Sequence, residues 1–357
     1  MDYELFIPGP VELTKGVCSA QARKVISHRG DGFHEVFKDS AGKLGKVFRT
    51  DSKVVVLTGS GTCAIDACLQ STILDGDRVL VFDNGDFGRR LGENAAIYAR
   101  GVKVESVEHG RGISADYAKE KIGECGPTYV ALVHNDTASG VENPLREIAK
   151  AANDAGAFVF ADSVSALGGI KFEFDAWGIG ASASSAQKCI AGPSGISFAA
   201  LSAAAVERIE GQPKPRSAYL NLRTYLKFLE KDEHPTTPSI SGFCGLRQAL
   251  CELESEGLEK RIARHESMAK FVQTRAERIG FQLFAEDGYR SKTVTAIRTD
   301  KSKELRADMK AKGFVLSGGM AQYKDRILRI AHMGNITKER LSAMFEELEK
   351  SAEKTGT

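Results

Sequence analysis

One tryptophan stands in 357 residues, and no apolar run approaches the ~20 residues that a membrane-spanning helix needs. The opening, MDYELFIPGP, lacks the basic region and apolar stretch of a secretory leader, so an intracellular, cytoplasmic protein with no membrane partner is expected. Neither sign of charge is in excess. Lys and Arg number 49 against 47 Asp and Glu, a net charge of +2, which argues against a nucleic-acid partner. The seven cysteines (18, 63, 68, 125, 189, 244 and 251) are odd in number, irregularly spaced and without a CxxC pair. A zinc or other metal site and a disulfide framework are therefore not expected, and each cysteine reads as a small, reduced, buried residue. Internal repeats and low-complexity tracts are also missing.

What is present is a globular composition, 42% apolar, long enough for about two domains of ~150 residues. Strand-like runs at Lys53–Leu57, Arg78–Phe82, Lys103–Val107, Tyr129–Val133, Ala157–Ala161 and Gly195–Leu201 alternate with helical stretches at 62–75, 88–100 and 144–155. The runs are apolar on both faces, as a parallel sheet covered by helices requires, so the class is α/β. From 246 the texture changes. One long charged helix over 246–279, a solvated connector, is expected, then strands at Gln282–Phe284, Thr293–Ile297 and Arg326–Ile330 and helices at 301–312 and 337–353. The division expected is an N-terminal segment 1–15 packing near the active site, a large domain 16–245 and a small α+β domain 246–357. The segment 210–240, with Pro213, Pro215, Pro235 and Pro238, reads as a linker or an arm reaching a partner.

Four features could carry chemistry. Thr58-Gly-Ser-Gly-Thr62 joins a strand to a helix. Its glycines allow a sharp turn, and the helix start offers free N–H groups suited to phosphate, although packing alone would also explain it. It is neither a P-loop nor a dinucleotide fingerprint. Asp162 ends an apolar strand where open α/β sheets bind ligands, and reads equally as a helix cap. Lys188 follows the small-residue run Ala181–Ala186, which leaves room beside it; it is a Schiff-base candidate or an ordinary surface lysine. Arg329 interrupts an apolar strand and could grip a carboxylate in two places. Jointly they suit pyridoxal 5'-phosphate (PLP), an electron-sink cofactor held by a lysine, with an acid at its ring nitrogen.

The chain resembles the class V aminotransferases of PLP fold type I, in particular the alanine–glyoxylate and serine–pyruvate group. The resemblance runs through Pro8-Gly-Pro10, Ser27-His-Arg29, Gly59-Ser-Gly-Thr62, Asn84-Gly-Asp-Phe-Gly88 and His134-Asn-Asp-Thr-Ala-Ser-Gly-Val141. It continues through Asp162-Ser-Val-Ser-Ala-Leu-Gly-Gly169, Gln187-Lys188 with Pro193 and Gly195, Thr236-Thr-Pro238 and Leu328-Arg-Ile330. It implies a large domain with a mainly parallel sheet plus a smaller α+β C-terminal domain. It implies that Lys188 forms the Schiff base and moves the substrate's α-proton, and that Asp162 pairs with the pyridine nitrogen. Ser60, Gly61 and Thr62 would hold the phosphate with help from Gln187. Phe87 would stack on the ring, Val164 would press its other face, and Thr137 would bond near the ring hydroxyl. Arg329 would bind the substrate α-carboxylate, with Pro8, Gly9 and Arg29 also at the substrate. Thr236 would reach the phosphate of a neighbouring subunit, so a homodimer with shared active sites is expected.

Two positions depart from the family's usual pattern. Glu233 stands where relatives often carry Tyr, and Thr62 where the cup often carries His. The expected reaction is ping-pong amino transfer from a small amino acid, alanine or serine, to a 2-oxo acid, glyoxylate or pyruvate. Alternatives are a 2-aminoethylphosphonate–pyruvate or ureidoglycine–glyoxylate aminotransferase. A phosphonate would want a second cation, for which Arg29, Arg89 and Arg90 are candidates or plain surface residues. A cysteine desulfurase-like lyase fits less well, because Gln187 replaces the usual His and no cysteine follows Cys251. A non-catalytic binding protein is argued against by Lys188, Asp162 and Arg329 occurring together. His28 and His34 are expected near the site entrance or on a helix, and His134 orienting a strand end.

Overall fold

The computed structural model describes residues 3–356. The chain opens with β1 (Glu4–Phe6), α1 (Lys15–Gln21) and α2 (Asp31–Phe48). Then β2 (Lys53–Thr58), α3 (Gly61–Thr72), β3 (Val79–Asp83), α4 (Asp86–Tyr98), β4 (Val102–Ser106) and α5 (Ala115–Cys125) alternate. β5 (Tyr129–Val133), a small hairpin of β6 (Asn135–Asp136) and β7 (Val141–Glu142), α6 (Leu145–Asp154) and β8 (Phe158–Asp162) follow. β9 (Ala181–Ser185), β10 (Ile196–Leu201), α7 (Ala203–Gly211), α8 (Leu222–Leu229) and α9 (Ile240–Glu256) come next. The last third holds α10 (Leu258–Arg278), β11 (Gln282–Leu283), β12 (Val294–Arg298), α11 (Ser302–Ala311), β13 (Phe314–Gly318), β14 (Ile327–Ala331) and α12 (Lys338–Thr355).

Seven strands form the large sheet in the order β2-β10-β9-β8-β5-β3-β4. Successive residues of each central strand point to opposite faces. Val54, Val56, Leu80, Phe82, Val130 and Leu132 join one core, with side chains of α2, α6 and α9. Val55, Leu57, Val79, Val81, Ala131 and Val133 join the other, with side chains of α3, α4 and α7. Burial on both faces explains why these strands read as continuous apolar runs. The edge strand β4 departs from that expectation: it has no buried residue.

β10 runs antiparallel to both of its neighbours, β2 and β9. Two reversals return β2 to the direction of β9, so the carboxyl ends of β2, β3, β5, β8 and β9 share one edge. The register aligns them, Val133 opposite Asp162 and Asp162 opposite Ala183. That edge is where an open α/β sheet offers a ligand site.

The five-stranded sheet, β1-β13-β14-β12-β11, packs its core residues with those of α10, α11 and α12. β1 pairs parallel with β13, so the N-terminal strand completes this sheet. The single helix expected over 246–279 is two helices, α9 and α10, separated at Gly257 with φ +85°. Nor is it a solvated connector: Leu246, Ala249, Leu250 and Leu253 lie in the core of the large sheet, and Met268, Val272 and Ala276 in that of the small one. The 245/246 division falls inside α9. Residues 210–240 contain α8, whose Leu222 and Tyr225 are buried in the second core, rather than a free linker. Among the described residues, no helix is long and apolar enough to cross a membrane.

Candidate active site

A cavity of about 180 Å3 opens at the shared carboxyl edge of the large sheet, with Ser60, Gly61, Thr62, Phe87, Thr137, Asp162, Val164, Gln187 and Lys188 in its wall. These nine expected residues come from separate turns. Ser60 sits at the start of α3 in extended conformation, and its hydroxyl caps none of the helix's own N–H groups, so it remains available to a ligand. The first turn of α3 carries no acidic residue to oppose an anion. Gly61 is required by packing, since a Cβ there would lie 2.8 Å from Val164 Cγ2 and 3.2 Å from Ser185 Oγ. The Ser185 hydroxyl and Gln187 Oε1 are buried without a hydrogen-bond partner. Unpartnered buried polar atoms beside a helix start fit an oxyanion that brings its own acceptors and bound protons or water.

Asp162 ends β8, and its Oδ1 accepts the Val164 N–H at 2.9 Å. Burial pushes its carboxyl up to about 6, against the Val164 bond and the positive charges of Lys188 and Arg90. A buried carboxylate in this state gains most from a cationic N–H partner, such as a protonated ring nitrogen. Lys188 follows β9. Burial lowers its ammonium to about 8, with Arg329 acting in the same direction and Cys189 and Asp162 opposing. Its Nζ donates to the Pro8 carbonyl. The expected N-terminal residues are thus at the lysine: a Cβ on Gly9, where φ is +92°, would lie 2.6 Å from Lys188 Cδ. The Val11 N–H anchors this segment to the Gln187 carbonyl at 3.1 Å.

Arg329 lies on β14, 9% exposed, and reaches over from the small sheet. Its Nε donates to Gly318 O at 2.7 Å and its Nη1 to Thr137 O at 2.8 Å. Those two bonds fix the guanidinium plane and leave Nη2 without a bond among the described residues, ready for a carboxylate. Thr137 itself rests on Asp136, which the sequence reading left without a role. The buried Asp136 carboxylate accepts N–H groups from Phe87 at 3.0 Å, Ala138 at 2.8 Å and Ser139 at 3.0 Å. It therefore fixes the aromatic wall relative to the Thr137 turn. Burial raises its carboxyl, and those N–H groups oppose the rise. Asn135, Ser165 and Arg90 also line the cavity. Asn135 donates to Ser165 Oγ at 2.8 Å and Thr293 Oγ1 at 3.0 Å, joining the two sheets beneath the site.

Five expected residues are not part of the cavity wall: Pro8 and Gly9 touch Lys188 and Arg329 touches Thr137 from beside it, whereas Arg29 and Thr236 are bound elsewhere in the single chain. Arg29 is exposed and holds Glu233 at 2.8 Å and the His234 carbonyl at 2.8 Å. Thr236 is bound to His234 Nδ1 through its hydroxyl at 3.2 Å. Glu233 is turned to Arg29 and to His34 Nε2 at 3.4 Å. His134 is buried beside Phe172 and Trp177, and burial lowers it to about 3, so it is neutral. Its backbone N–H donates to the Asp162 carbonyl at 2.9 Å, at the end of β8.

The solved structures of two proteins match this architecture throughout. The alanine–glyoxylate aminotransferase of Nostoc sp. has a TM-score of 0.94 at 26% identity, with 98% of this chain and 95% of that one covered. The ureidoglycine–glyoxylate aminotransferase of Bacillus subtilis has a TM-score of 0.95 at 25% identity, with 99% and 94% covered. The fold is that of PLP fold type I enzymes. The family model described as aminotransferase class-V matches residues 16–311. An uncharacterised aminotransferase of Methanocaldococcus jannaschii is 33% identical over 361 residues, 99% of this chain and 93% of its own. The chain belongs to the class-V aminotransferase family, a PLP-dependent family, and is an aminotransferase.

Proposed function

We propose that this enzyme binds PLP in the cavity between Phe87 and Val164 and moves an amino group from alanine or serine to glyoxylate or pyruvate. The observation that carries the reading is the joint placement of Lys188 and Asp162 at one carboxyl edge, in a cavity that also holds the start of α3. When bound, PLP supplies a carbonyl for the lysine and a ring that accepts electrons from the substrate α-carbon.

Ser60, Gly61 and Thr62 bind the cofactor phosphate, assisted by Gln187 through its side-chain amide N–H2. Asp162 holds a proton on the ring nitrogen through its ionised carboxylate. Phe87 and Val164 would hold the ring by apolar contact, and Thr137 would offer its hydroxyl to a polar substituent of the ring. Arg329 takes the substrate α-carboxylate with its free Nη2 edge, which orients the Cα–H bond. The Lys188 amine, neutral above about pH 8, removes the α-proton and delivers it within the same cavity. A second 2-oxo acid runs the same steps backwards, so kinetics are ping-pong. Thr236 and Arg29 lie outside the cavity of their own chain, which supports a homodimer in which they serve the neighbouring subunit's site.

The test is an absorbance scan of purified protein with PLP, then alanine, then glyoxylate. A Schiff-base band that bleaches with alanine and returns with glyoxylate is expected. A band that ignores alanine and serine overturns the donor assignment, and no band with Lys188 intact overturns the PLP assignment.

A further inference from the structure

Three arginines are candidates for a second cation at this site, and the structure separates them. Arg29 is paired with Glu233 at 2.8 Å. Arg89 is exposed and takes both acids that helical spacing offers on α4, Asp86 at 3.4 Å and Glu93. Arg90 is left without either. It lines the cavity, half-buried, and no hydrogen-bond acceptor or ion-pair partner reaches it among the described residues; the Asp162 carboxylate in the same wall acts on it only through space. Its guanidinium lies 5.5 Å from the centre of the Phe87 ring, which holds it in place through a cation–π contact without neutralising it. Asn94, one turn further along α4, lines the same wall and adds an amide donor.

The phosphate cup offers hydroxyls and helix N–H groups but no cation of its own. Arg90 and Lys188 are the only cationic side chains in the cavity wall among the described residues, and on the PLP reading Lys188 would be taken up by the cofactor carbonyl. A partly desolvated, unpaired guanidinium is unfavourable unless an anion completes it, and its planar fork matches phosphate and carboxylate.

We propose that Arg90, with Asn94, is an oxyanion-binding subsite of the cavity, separate from the Arg329 site. The oxyanion comes either from the cofactor phosphate or from a second acidic group on the amino donor. The subsite rests on the PLP reading for its biological use, but oxyanion binding is measurable without PLP or turnover.

The test is calorimetric titration of apo-protein with inorganic phosphate and with succinate, in the wild type, Arg90→Gln, Arg90→Lys and Asn94→Asp. Loss of a charge-assisted contact should weaken the relevant anion by roughly tenfold or more in Arg90→Gln, with partial recovery in Arg90→Lys. Asn94→Asp supplies Arg90 with an internal carboxylate and should weaken the same anion, so the proposal stays testable if Arg90→Gln does not fold. Weaker phosphate and PLP binding, with succinate unchanged, supports the subsite and assigns it to the cofactor. Weaker succinate binding and a KM for aspartate raised tenfold over that for alanine, with PLP affinity unchanged, supports it and assigns it to an acidic donor. Phosphate, succinate and PLP affinities all equal to wild type in folded Arg90→Gln and Asn94→Asp overturn it. An absent Schiff-base band alongside a charge-dependent phosphate titration would sink the PLP reading and leave the subsite standing.

Discussion

Lys188 owes its reactivity to its surroundings. Burial lowers its ammonium to about 8, so the amine becomes neutral as the pH rises through that value. The rate at which apo-protein forms its Schiff base with added PLP should climb from pH 6 and level off above about 8.5, a window set by that lowered value. A rate still rising steeply at pH 10 would show that the lysine is solvated. Lys188→Ala should remove the long-wavelength band and reduce transamination by roughly 1,000-fold or more, since both the covalent anchor and the base are lost.

Gly9 guards the geometry of the same lysine. A methyl group there would press on Lys188 Cδ at 2.6 Å, at a φ of +92° that side chains rarely adopt. Gly9→Ala should lower kcat by on the order of 100-fold, since small misplacements of a reacting group carry that penalty. The check is kcat with KM for alanine measured separately; an unchanged kcat would mean that the N-terminal segment yields without moving the lysine. Lys188, Asp162 and the glycine turn stood out as candidates because such residues are rare at such positions, and the fold brings them to one cavity. Asp136 did not, because a carboxylate that collects three backbone N–H groups is defined by the loop that closes on it.

Gly257 separates α9 from α10 with φ +85° and ψ 129°, and a Cβ there would touch nothing. Gly257→Ala therefore tests backbone strain alone and should destabilise the fold by about 1–3 kcal/mol in urea denaturation. A change under ~0.5 kcal/mol would mean that the helix junction relaxes. The charge pattern of 246–279 suggested one helix because both helices carry it, and a single glycine is a weak breaker in sequence. β9 was missed for the opposite reason. Ala181–Ser185 is neither apolar nor β-branched, so nothing local marks it as a strand. Its place is set by neighbours: the Ser182 hydroxyl donates to Ala161 O at 2.9 Å and the Ser184 hydroxyl to Ser163 O at 3.1 Å, while Ala181 and Ala183 fit beneath α3.

For the whole molecule, four histidines decide much of the acid response. Burial lowers His134, His265 and His332 to about 3 and His234 to about 4. Each is neutral in the fold and protonates in the unfolded chain below about pH 6.5, so its contribution is present above that value and fades as the pH falls below it. Asp162, raised to about 6, opposes this with one group over part of the same range. The melting temperature should fall by roughly 5 °C or more between pH 7 and pH 5. An unchanged value would show that these imidazoles are solvated.

The α/β class and the apolar central strands were set by the sequence alone, and Lys188, Asp162, Arg329 and the α3 turn already stand out there as candidates. Continuous apolar runs and rare residue types are local properties, and they are legible without knowledge of the fold. The tertiary structure decided what depends on distant partners. It reversed β10, so that β2 ends at the same edge of the sheet as β8 and β9, and it folded β1 onto β13, so that Gly9 crosses Lys188. It also gave Glu233 to Arg29 and the α4 acids to Arg89, leaving Arg90 facing the cavity. Which charge meets which is a question of through-space distance, and residues 204 positions apart, as Arg29 and Glu233 are, carry no mark of it in the chain.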